Sequence, residues 1–259
     1  AWLHALYPDI HQVKSNGQVK EFGQRQDACK NHLGYRGYAG RIVERMTAAL
    51  GANPHIVAWQ TDNEFGCHGT ARCHCDHCQA AFQRWLRERF SGDIAALNDA
   101  WGTFFWSQDY NSFEEIPIPR DTADHTANDG QNPGLVLDFY RFSSDVQVAF
   151  HREQAEIIRR NSPGRPITHN LMGLFPHIEY YDLAAELDIV SWDNYPFAMN
   201  GTNLPPQPLP HDLMRGLKQQ NVWVMEQGSG AGGWGSYPAT PQPGQMRLWA
   251  YQAVARGAD

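Results

Sequence analysis

Residues Ala58–Gly66, which read AWQTDNEFG, are the stretch from which the fold of this 259-residue chain is predicted. Residues 55–59 are mostly apolar or β-branched, and Pro54 cannot continue a preceding helix, so a buried strand is predicted over 55–59. This strand runs into the polar cluster 60–64, and Gly66 closes the stretch. Polar residues at the carboxyl end of a buried parallel strand lie where α/β barrels carry their functional groups.

A second predicted strand ends in the same way. Residues 222–225 read VWVM and run directly into Glu226, which Gln227 and Gly228 follow. Together with Glu64 this gives two carboxylates at two strand ends, the minimum that glycoside hydrolysis requires. The alternative is that both are ordinary solvated residues at strand ends. Glutamate directly after an apolar β-run is a poor choice for a strand, which favours the functional interpretation.

Strand and helix signals alternate along the rest of the chain. Strands that alternate with helices indicate a parallel sheet with helical cover, the α/β class. Four strands are too few to close a barrel of eight, so we expect an incomplete (β/α)8 TIM barrel. Segments 1–36 and 114–132 lack this periodicity, and both are expected to be mostly loop. The predicted strands lie at 55–59, 166–170, 188–193 and 222–225, and the predicted helices at 38–50, 76–90, 94–101, 133–161, 178–187, 212–220 and 244–256.

Composition excludes several classes of partner. The formal net charge is −7 without a long basic run, so no nucleic-acid partner is expected. No stretch of about 18 apolar residues is present, so no membrane span is expected, and no signal segment opens the chain. Nine Trp, ten Tyr and twelve Phe supply rings that fill a core or stack on sugars. The ends of the sequence lead us to expect a fragment of a longer protein.

Four of the five cysteines lie between residues 67 and 78, in the sequence CHGTARCHCDHC. The spacing of Cys73, Cys75 and Cys78 lets one loop wrap a tetrahedral zinc. Cysteines so close in sequence pair poorly as disulfides, which are the alternative together with free thiols. A reducing compartment is therefore favoured, and we expect a cytoplasmic protein. The spacing leaves the fourth ligand open, and the candidates are Cys29, Cys67, His68, His74 and His77.

Several motifs, in this order, resemble the β-galactosidases of glycoside hydrolase family 42. The resemblance runs along nearly the whole chain. The motifs are Asp62–Gly66, the cysteine cluster after it, Trp101-Gly102 with residues 105–108, the WDNYP of residues 192–196, and Met225-Glu226-Gln227.

The resemblance implies a retaining glycoside hydrolase that cleaves terminal β-D-galactosides by double displacement. It implies that Glu64 is the general acid/base and Glu226 the nucleophile, and that Asn63 hydrogen-bonds the sugar hydroxyl next to the reacting carbon. A β-galactoside or oligosaccharide would be the substrate. The other substrate-binding residues that it implies are Arg25, Trp106, Tyr195 and Trp234.

The resemblance also implies a structural zinc and an architecture. The zinc ligands would be Cys29, Cys73, Cys75 and Cys78, with Cys67 left over. Residues 1–259 would be a partial catalytic barrel holding about strands four to seven, without the first three strands and the last. A zinc-binding and helical insertion would span about 67–132. The full-length protein would be a homotrimer.

Three alternatives remain open on the sequence. One is a catalytic metal site, with His68, His74 or His77 as a ligand and a metal-bound water as nucleophile. Another is a truncated barrel that binds sugar or is inactive, with zinc as a stabiliser. The third is a related β-glycosidase of different sugar specificity. His169 and Asn170 end a predicted strand and are further candidates for the pocket, without an assigned role.

Overall fold

The computed structural model describes residues 2–122, 125–126, 130–196, 208–230 and 240–259, and for Trp106 the backbone alone. Helices and short strands alternate over its second half, as the sequence predicts. The helices of this described part are α1 (Trp2–Leu6), α2 (Leu33–Leu50), α3 (Asp76–Arg89), α4 (Ile94–Trp101), α5 (Thr103–Trp106), α6 (Pro133–Asn161), α7 (Tyr180–Ala185), α8 (Pro208–Lys218) and α9 (Gln245–Ala255). Its strands are β1 (Trp59–Gln60), β2 (Ile167–Thr168), β3 (Asn170–Leu171), β4 (Ser191–Asn194) and β5 (Trp223–Gln227).

All paired strands are parallel and follow one another in chain order. β1 pairs with β2, and β3 pairs with β4, which pairs with β5. Only His169 separates β2 from β3, so the chain runs straight from one pairing to the next. After α9, Ala258 forms a parallel bridge to Val222 at the start of β5. The predicted α/β class with a parallel sheet is confirmed, and the described strands do not close into a barrel.

The register of β4 and β5 brings two acidic residues side by side. β4 is buried along its whole length, as is usual for a strand of a parallel sheet that is covered on both faces. An irregularity between Trp192 and Asp193 shifts the register, so that Asp193 lies opposite Glu226 and Asn194 opposite Gln227. Bulges of this kind redirect side chains at the ends of strands.

The chain divides into two units. Unit 1 comprises Ala1–Arg45, Gly66–Gln154 and His177–Glu179, and unit 2 comprises Met46–Phe65, Ala155–Pro176 and Tyr180–Asp259. The core of unit 1 joins the side chains of four cysteines to those of α3, α4 and α6, with Phe82 and Phe139 fully buried among them. Unit 2 contains all five strands, and buries residues such as Ile167, Val190 and Trp192 around them.

Some local predictions were wrong. The buried strand expected over 55–59 is limited to Trp59–Gln60, and Val57 is 73% exposed, because hydrogen bonding to β2 begins only at Trp59. The apolar residues that predicted α2 do not form a buried stripe, since Ile42 and Met46 are exposed and Thr47 is the buried residue.

The two predicted loops also contain ordered structure. In segment 1–36, α1 precedes an antiparallel pairing of Val13 with Val19 across a turn at Gly17, where φ is 83°. In segment 114–132, Ile116 and Ile118 are buried in the core of unit 1, because apolar side chains anchor an otherwise irregular path. Among the described helices, none is long and apolar enough to cross a membrane.

Candidate active site

The two glutamates singled out in the sequence both lie at strand ends in unit 2. Glu226 is the penultimate residue of β5, and Glu64 follows β1 after a short turn. Next to Glu226, the hydroxyl of Tyr195 donates a hydrogen bond to Oε2 of Glu226, with 2.6 Å between the oxygens. The loop after β4 thus presents a neutral donor directly to the carboxylate on β5.

The surroundings of Tyr195 raise its pKa. The hydrogen bond to Glu226 raises the pKa of Tyr195 to about 12, and burial acts in the same direction. The negative charges of Glu226, Asp193 and Glu64 raise this pKa further. The Tyr195 hydroxyl therefore stays protonated across the range in which enzymes work, and Glu64 lies within electrostatic reach of the hydroxyl that contacts Glu226.

The turn that carries Glu64 has an unusual backbone. Asp62 and Glu64 have φ angles of 47° and 44°, in the left-handed region that residues with a side chain rarely adopt. Between them, Asn63 donates from Nδ2 to Oε2 of Glu64 at 3.3 Å. Left-handed residues at functional positions persist when surrounding contacts hold them there.

Those contacts come from the next strand. His169 and Asn170, at the junction of β2 and β3, are both buried and hydrogen-bond to the turn over 61–65. The sequence placed these two residues at a strand end without giving them a role. Their side-chain directions become visible only in the fold, where Asp193 on β4 joins the same network through Asn170.

A second cluster, in unit 1, consists of thiols. One potential ligand atom from each of Cys29, Cys73, Cys75 and Cys78 lies within 4.8 Å of the other three, and all four residues are buried. The sulfur of Cys29 is 3.4 Å from those of both Cys75 and Cys78, across 46 and 49 residues of sequence. The structure thereby brings Cys29 to the three cysteines that are close in sequence.

The chemistry of this cluster fits a thiophilic metal ion. Asn31 donates to sulfur twice, from its backbone nitrogen to Cys29 at 3.3 Å and from Nδ2 to Cys78 at 3.2 Å. Hydrogen bonding with the neighbouring sulfurs, first with that of Cys29, lowers the pKa of Cys75 and raises the pKa of Cys78. One thiolate is thus favoured, and a bound cation would favour the ionisation of the others as well. Four sulfur ligands are the preferred set of structural zinc.

The other cysteine and histidines of this region lie outside the thiol cluster. The sulfur of Cys67 is 2.7 Å from Nδ1 of the neighbouring His68. The ring of His74 packs 5.0 Å from that of Phe139, and burial lowers the pKa of His74 to about 4.

His77 belongs to a carboxylate–imidazole group with Asp9 and His32. Nε2 of His77 lies 2.8 Å from Asp9, and Nε2 of His32 lies 3.3 Å from the other oxygen of the same carboxylate. Since the backbone N–H of Tyr35 donates to Nδ1 of His32, a neutral His32 carries its proton on Nε2 and donates it to Asp9. A ring nitrogen in that state has no lone pair for a metal, so these contacts are satisfied as hydrogen bonds.

The remaining predicted substrate residues are spread over the sequence. Asn63 and Tyr195 lie in unit 2 with both glutamates. Arg25 is an exposed residue of a turn in unit 1, and the backbone of Trp106 ends α5, also in unit 1. Trp234 lies outside the described residues.

The fold is that of an α/β protein, and two carboxylates lie at the carboxyl ends of its parallel strands. Glycoside hydrolases use such a pair of acidic residues. Comparison with known proteins identifies the family. The family model Glyco_hydro_42, described as beta-galactosidase, matches residues 1–259. This chain belongs to that family.

Individual relatives agree with the family match. The beta-galactosidase BgaA of a Thermus species is 42% identical over 275 residues, which cover 100% of this chain and 41% of that protein. The solved structure of a polyextremophilic beta-galactosidase from the Antarctic haloarchaeon Halorubrum lacusprofundi superposes with a TM-score of 0.92 at 42% identity, covering 100% of this chain and 40% of that one. A beta-galactosidase from the psychrophilic Marinomonas ef1 gives a TM-score of 0.91 at 37% identity, with 99% and 41% covered. The chain thus spans about two fifths of the length of these relatives.

Proposed function

We propose that this protein is a retaining glycoside hydrolase that cleaves terminal β-D-galactosides, with Glu226 as nucleophile and Glu64 as general acid/base. The observation that carries the proposal is the hydrogen bond of 2.6 Å that the Tyr195 hydroxyl donates to Glu226, at a strand end of the same unit that carries the Glu64 turn. Double displacement at a sugar carbon uses two carboxyl groups, one as nucleophile and one as general acid/base. The relatives named beta-galactosidase supply the choice of sugar.

In the first step, the carboxylate of Glu226 attacks the anomeric carbon and forms a glycosyl ester. The bond between that carbon and the departing oxygen breaks, and the oxygen takes the proton of Glu64. In the second step, Glu64 removes a proton from water, whose oxygen attacks the same carbon and releases Glu226 as a carboxylate. Both steps leave Glu64 in the state that the next one needs.

Tyr195 and Asn63 have distinct roles in this scheme. Tyr195 orients the Glu226 carboxylate and stabilises its ionised form through a hydrogen bond to Oε2, which leaves Oε1 for the attack. Asn63 contacts Oε2 of Glu64, and the family resemblance supports a hydrogen bond from Asn63 to the sugar hydroxyl next to the reacting carbon. Arg25, Trp106 and Trp234 are proposed as substrate-binding residues on the strength of the family resemblance.

The finer architecture is part of the same proposal. The strand segments 59–60, 167–171, 191–194 and 223–227 would be about strands four to seven of a (β/α)8 barrel. Their parallel pairing in chain order supports this, as does the TM-score of 0.92 against a solved β-galactosidase. Residues from about 67 to 132 would be the zinc-binding and helical insertion. Assembly of the full-length protein as a homotrimer stays a prediction.

We further propose that Cys29, Cys73, Cys75 and Cys78 hold a structural zinc ion. With four sulfur ligands the ion would have no open position, so it would supply cross-linking and no reaction chemistry. It would tie Cys29 to Cys75 across 46 residues of sequence. Four buried thiols must stay reduced to bind a metal, which supports a reducing compartment such as the cytoplasm.

The experiment that tests the function uses the full-length protein and its Glu226→Ala and Glu64→Ala variants. Glu226→Ala is expected to abolish turnover of a nitrophenyl β-galactoside, and added azide to restore it with the inverted, α-configured galactosyl azide as product. Glu64→Ala with azide is expected to give the β-configured azide, because azide then replaces the water that Glu64 activates.

The matched control is Glu156→Gln, which neutralises an exposed glutamate of α6 and is expected to leave turnover unchanged. Activity near that of the parent protein in Glu226→Gln would exclude the nucleophile assignment. A panel of nitrophenyl glycosides decides the sugar, and hydrolysis of glucosides or arabinosides in preference to galactosides would overturn that part of the proposal.

A further inference from the structure

The turn that presents Glu64 is held from one side by a single side chain. Asn170 is 1% exposed and makes four hydrogen bonds through its amide. Its oxygen accepts from the backbone N–H of Glu64 at 3.0 Å and from Nε2 of Gln60 at 3.1 Å. Its nitrogen donates to Oδ1 of Asn63 at 3.0 Å and to Oδ2 of Asp193 at 2.7 Å. An asparagine amide has two donors and two acceptor sites, so its capacity is filled.

The partners of Asn170 allow its amide only one orientation. A backbone N–H can only donate, so the group that faces Glu64 must be the oxygen of Asn170. The carboxylate of Asp193 can only accept, so the nitrogen of Asn170 must lie on that side. The partners of Oδ1 and of Nδ2 therefore fix the orientation of the Asn170 amide.

This orientation is passed on to Asn63. The second N–H of Asn170 meets Oδ1 of Asn63, so the nitrogen of Asn63 must point the other way, toward Oε2 of Glu64 at 3.3 Å. A chain of hydrogen bonds therefore links Asp193 to Glu64 through Asn170 and Asn63, and Asn170 donates in both directions along it. It begins beside the nucleophile strand, since Asp193 is the residue that pairs with Glu226 between β4 and β5.

His169 holds the other side of the same turn. Its Nε2 accepts from the backbone N–H of Phe65 at 3.0 Å, so the neutral ring carries its proton on Nδ1 and donates it to the carbonyl of Thr61 at 2.7 Å. The ring also stacks on that of Phe65, with 4.1 Å between centroids. His169 thus ties the first and last residues of the 61–65 turn to each other.

We propose that Asn170 and His169 are positioning residues for proton transfer by Glu64. They hold Glu64 in its left-handed conformation, with a φ of 44°, and fix the direction in which its carboxyl group and the Asn63 amide face the substrate. Neither residue contacts the sugar. This inference rests on the proposed function, and it assigns Asn170 and His169 to the acid/base side of the reaction.

A defect in acid/base positioning has a signature that a general structural defect lacks. A leaving group as acidic as dinitrophenol departs without a proton, whereas an alkyl or methoxyphenyl group needs one. The Asn170→Ala variant is therefore expected to lose about 100-fold in kcat/KM on a methoxyphenyl galactoside, which is within the range that positioned proton transfer contributes. On the dinitrophenyl galactoside the expected loss in kcat/KM is less than about 3-fold, because that leaving group needs no proton.

The second step gives an independent readout. With the dinitrophenyl galactoside, kcat of Asn170→Ala is expected to fall because water attack still needs the base. Azide, which needs no base, is expected to restore kcat and to yield the β-configured galactosyl azide. His169→Leu is expected to show the same pattern, and His169→Gln, which keeps an acceptor for the Phe65 N–H, is expected to recover part of the loss.

The controls separate this inference from the proposed function and from misfolding. Asn221→Ala removes an exposed asparagine ahead of β5 and is expected to leave both substrates unaffected. The fraction of active protein is counted from the burst of dinitrophenol released by a fluorinated galactoside that traps Glu226. If Asn170→Ala does not fold, Asn170→Asp keeps the shape and both acceptor contacts and removes the donors, and it is expected to give the same leaving-group dependence.

Equal losses in kcat/KM on both galactosides, after correction for the active fraction of each variant, would overturn the positioning role of Asn170 and His169. If Glu64→Ala shows the leaving-group dependence and the Asn170 and His169 variants do not, the inference fails while the proposed function stands. If Glu226→Ala stays active without azide, the proposed function fails, and the inference fails with it.

Discussion

The hydroxyl oxygen of Tyr195 lies 2.6 Å from Oε2 of Glu226 and donates a hydrogen bond to it. The two residues belong to neighbouring elements, the loop after β4 and the end of β5, so the parallel pairing of these strands sets the contact. Because the pKa of Tyr195 is raised to about 12, its hydroxyl keeps the proton that it donates throughout the neutral and acidic pH range. Tyr195 therefore acts as a permanent hydrogen-bond donor in this pair and not as a titrating group.

The first prediction concerns this hydrogen bond. Tyr195→Phe removes the donor, and kcat/KM on a nitrophenyl galactoside is expected to fall by about 10- to 100-fold, the effect of a hydrogen bond to a charged group. Tyr251→Phe, at an exposed residue of α9, serves as the control. A kcat/KM equal to that of the parent protein would show that the hydrogen bond from Tyr195 does not support Glu226.

The second prediction concerns the thiol cluster. Chelation of metal from the full-length protein, or the substitution Cys75→Ser, is expected to lower the thermal midpoint, since a structural zinc contributes folding free energy directly. Metal content measured on the same samples is expected to drop in parallel. Cys67→Ser, outside the cluster, is expected to change neither quantity. Loss of turnover on chelation at an unchanged thermal midpoint would favour a catalytic metal instead.

A third prediction follows from His211 in α8. Burial lowers the pKa of His211 below its ordinary value of 6.5; the charge of Asp212 opposes this shift and that of Arg256 adds to it. The ring packs edge-on against Trp192, and Nε2 lies 3.4 Å from Nδ2 of Asn194. The unfolded chain therefore binds a proton that the folded chain excludes, so stability is expected to fall as pH drops below 6.5 toward the lowered pKa.

The measurement is the thermal midpoint between neutral and mildly acidic pH. His211→Gln is expected to flatten its acid dependence, because the titrating group is gone. His55→Gln, at an exposed position, is expected to keep the slope of the parent protein. A slope that His211→Gln leaves unaltered would assign the acid sensitivity to other groups.

The fourth prediction concerns Trp59, at the start of β1. Nε1 of Trp59 donates to Oγ of Ser162 at 3.0 Å, and that hydroxyl donates to the carbonyl of Gly51 at 3.1 Å. Ser162→Ala leaves a buried donor and a buried acceptor without partners, which is expected to cost about 1–3 kcal/mol in the free energy of unfolding. Denaturant unfolding of Trp59→Phe, Ser162→Ala and the double variant measures the coupling. Additive single effects would mean that the indole–hydroxyl contact contributes no stability.

Much of the fold could be predicted because the signals are local. Helix α4 over Ile94–Trp101 and helix α6 over Pro133–Asn161 were predicted with the observed bounds, since apolar repeats and their stop signals lie within the helix itself. The strand at 55–59 was less accurate. An apolar run fixes which residues prefer a strand, but the extent of pairing depends on the partner, which reaches only Trp59 and Gln60.

The candidate site divides in the same way. Glu64 and Glu226 could be singled out because each lies at the end of a predicted strand, and three cysteines because they lie close in sequence. The spacing could not select the fourth sulfur, that of Cys29, from several candidates, because it comes from 46 residues away from Cys75. Whether the four sulfurs bind zinc stays a prediction that metal analysis decides.

The sequence by itself determined the order of helices and parallel strands, and it showed that Glu64 and Glu226 lie at strand ends. Both could be read from the sequence because periodicity and strand-end position are properties of neighbouring residues. Only the tertiary structure decided what Asn170 does. Its partners lie 23, 106, 107 and 110 residues away, and its role depends on which amide atom faces which group. Hydrogen-bond direction is a property of atoms in space, and no pattern along the chain encodes it.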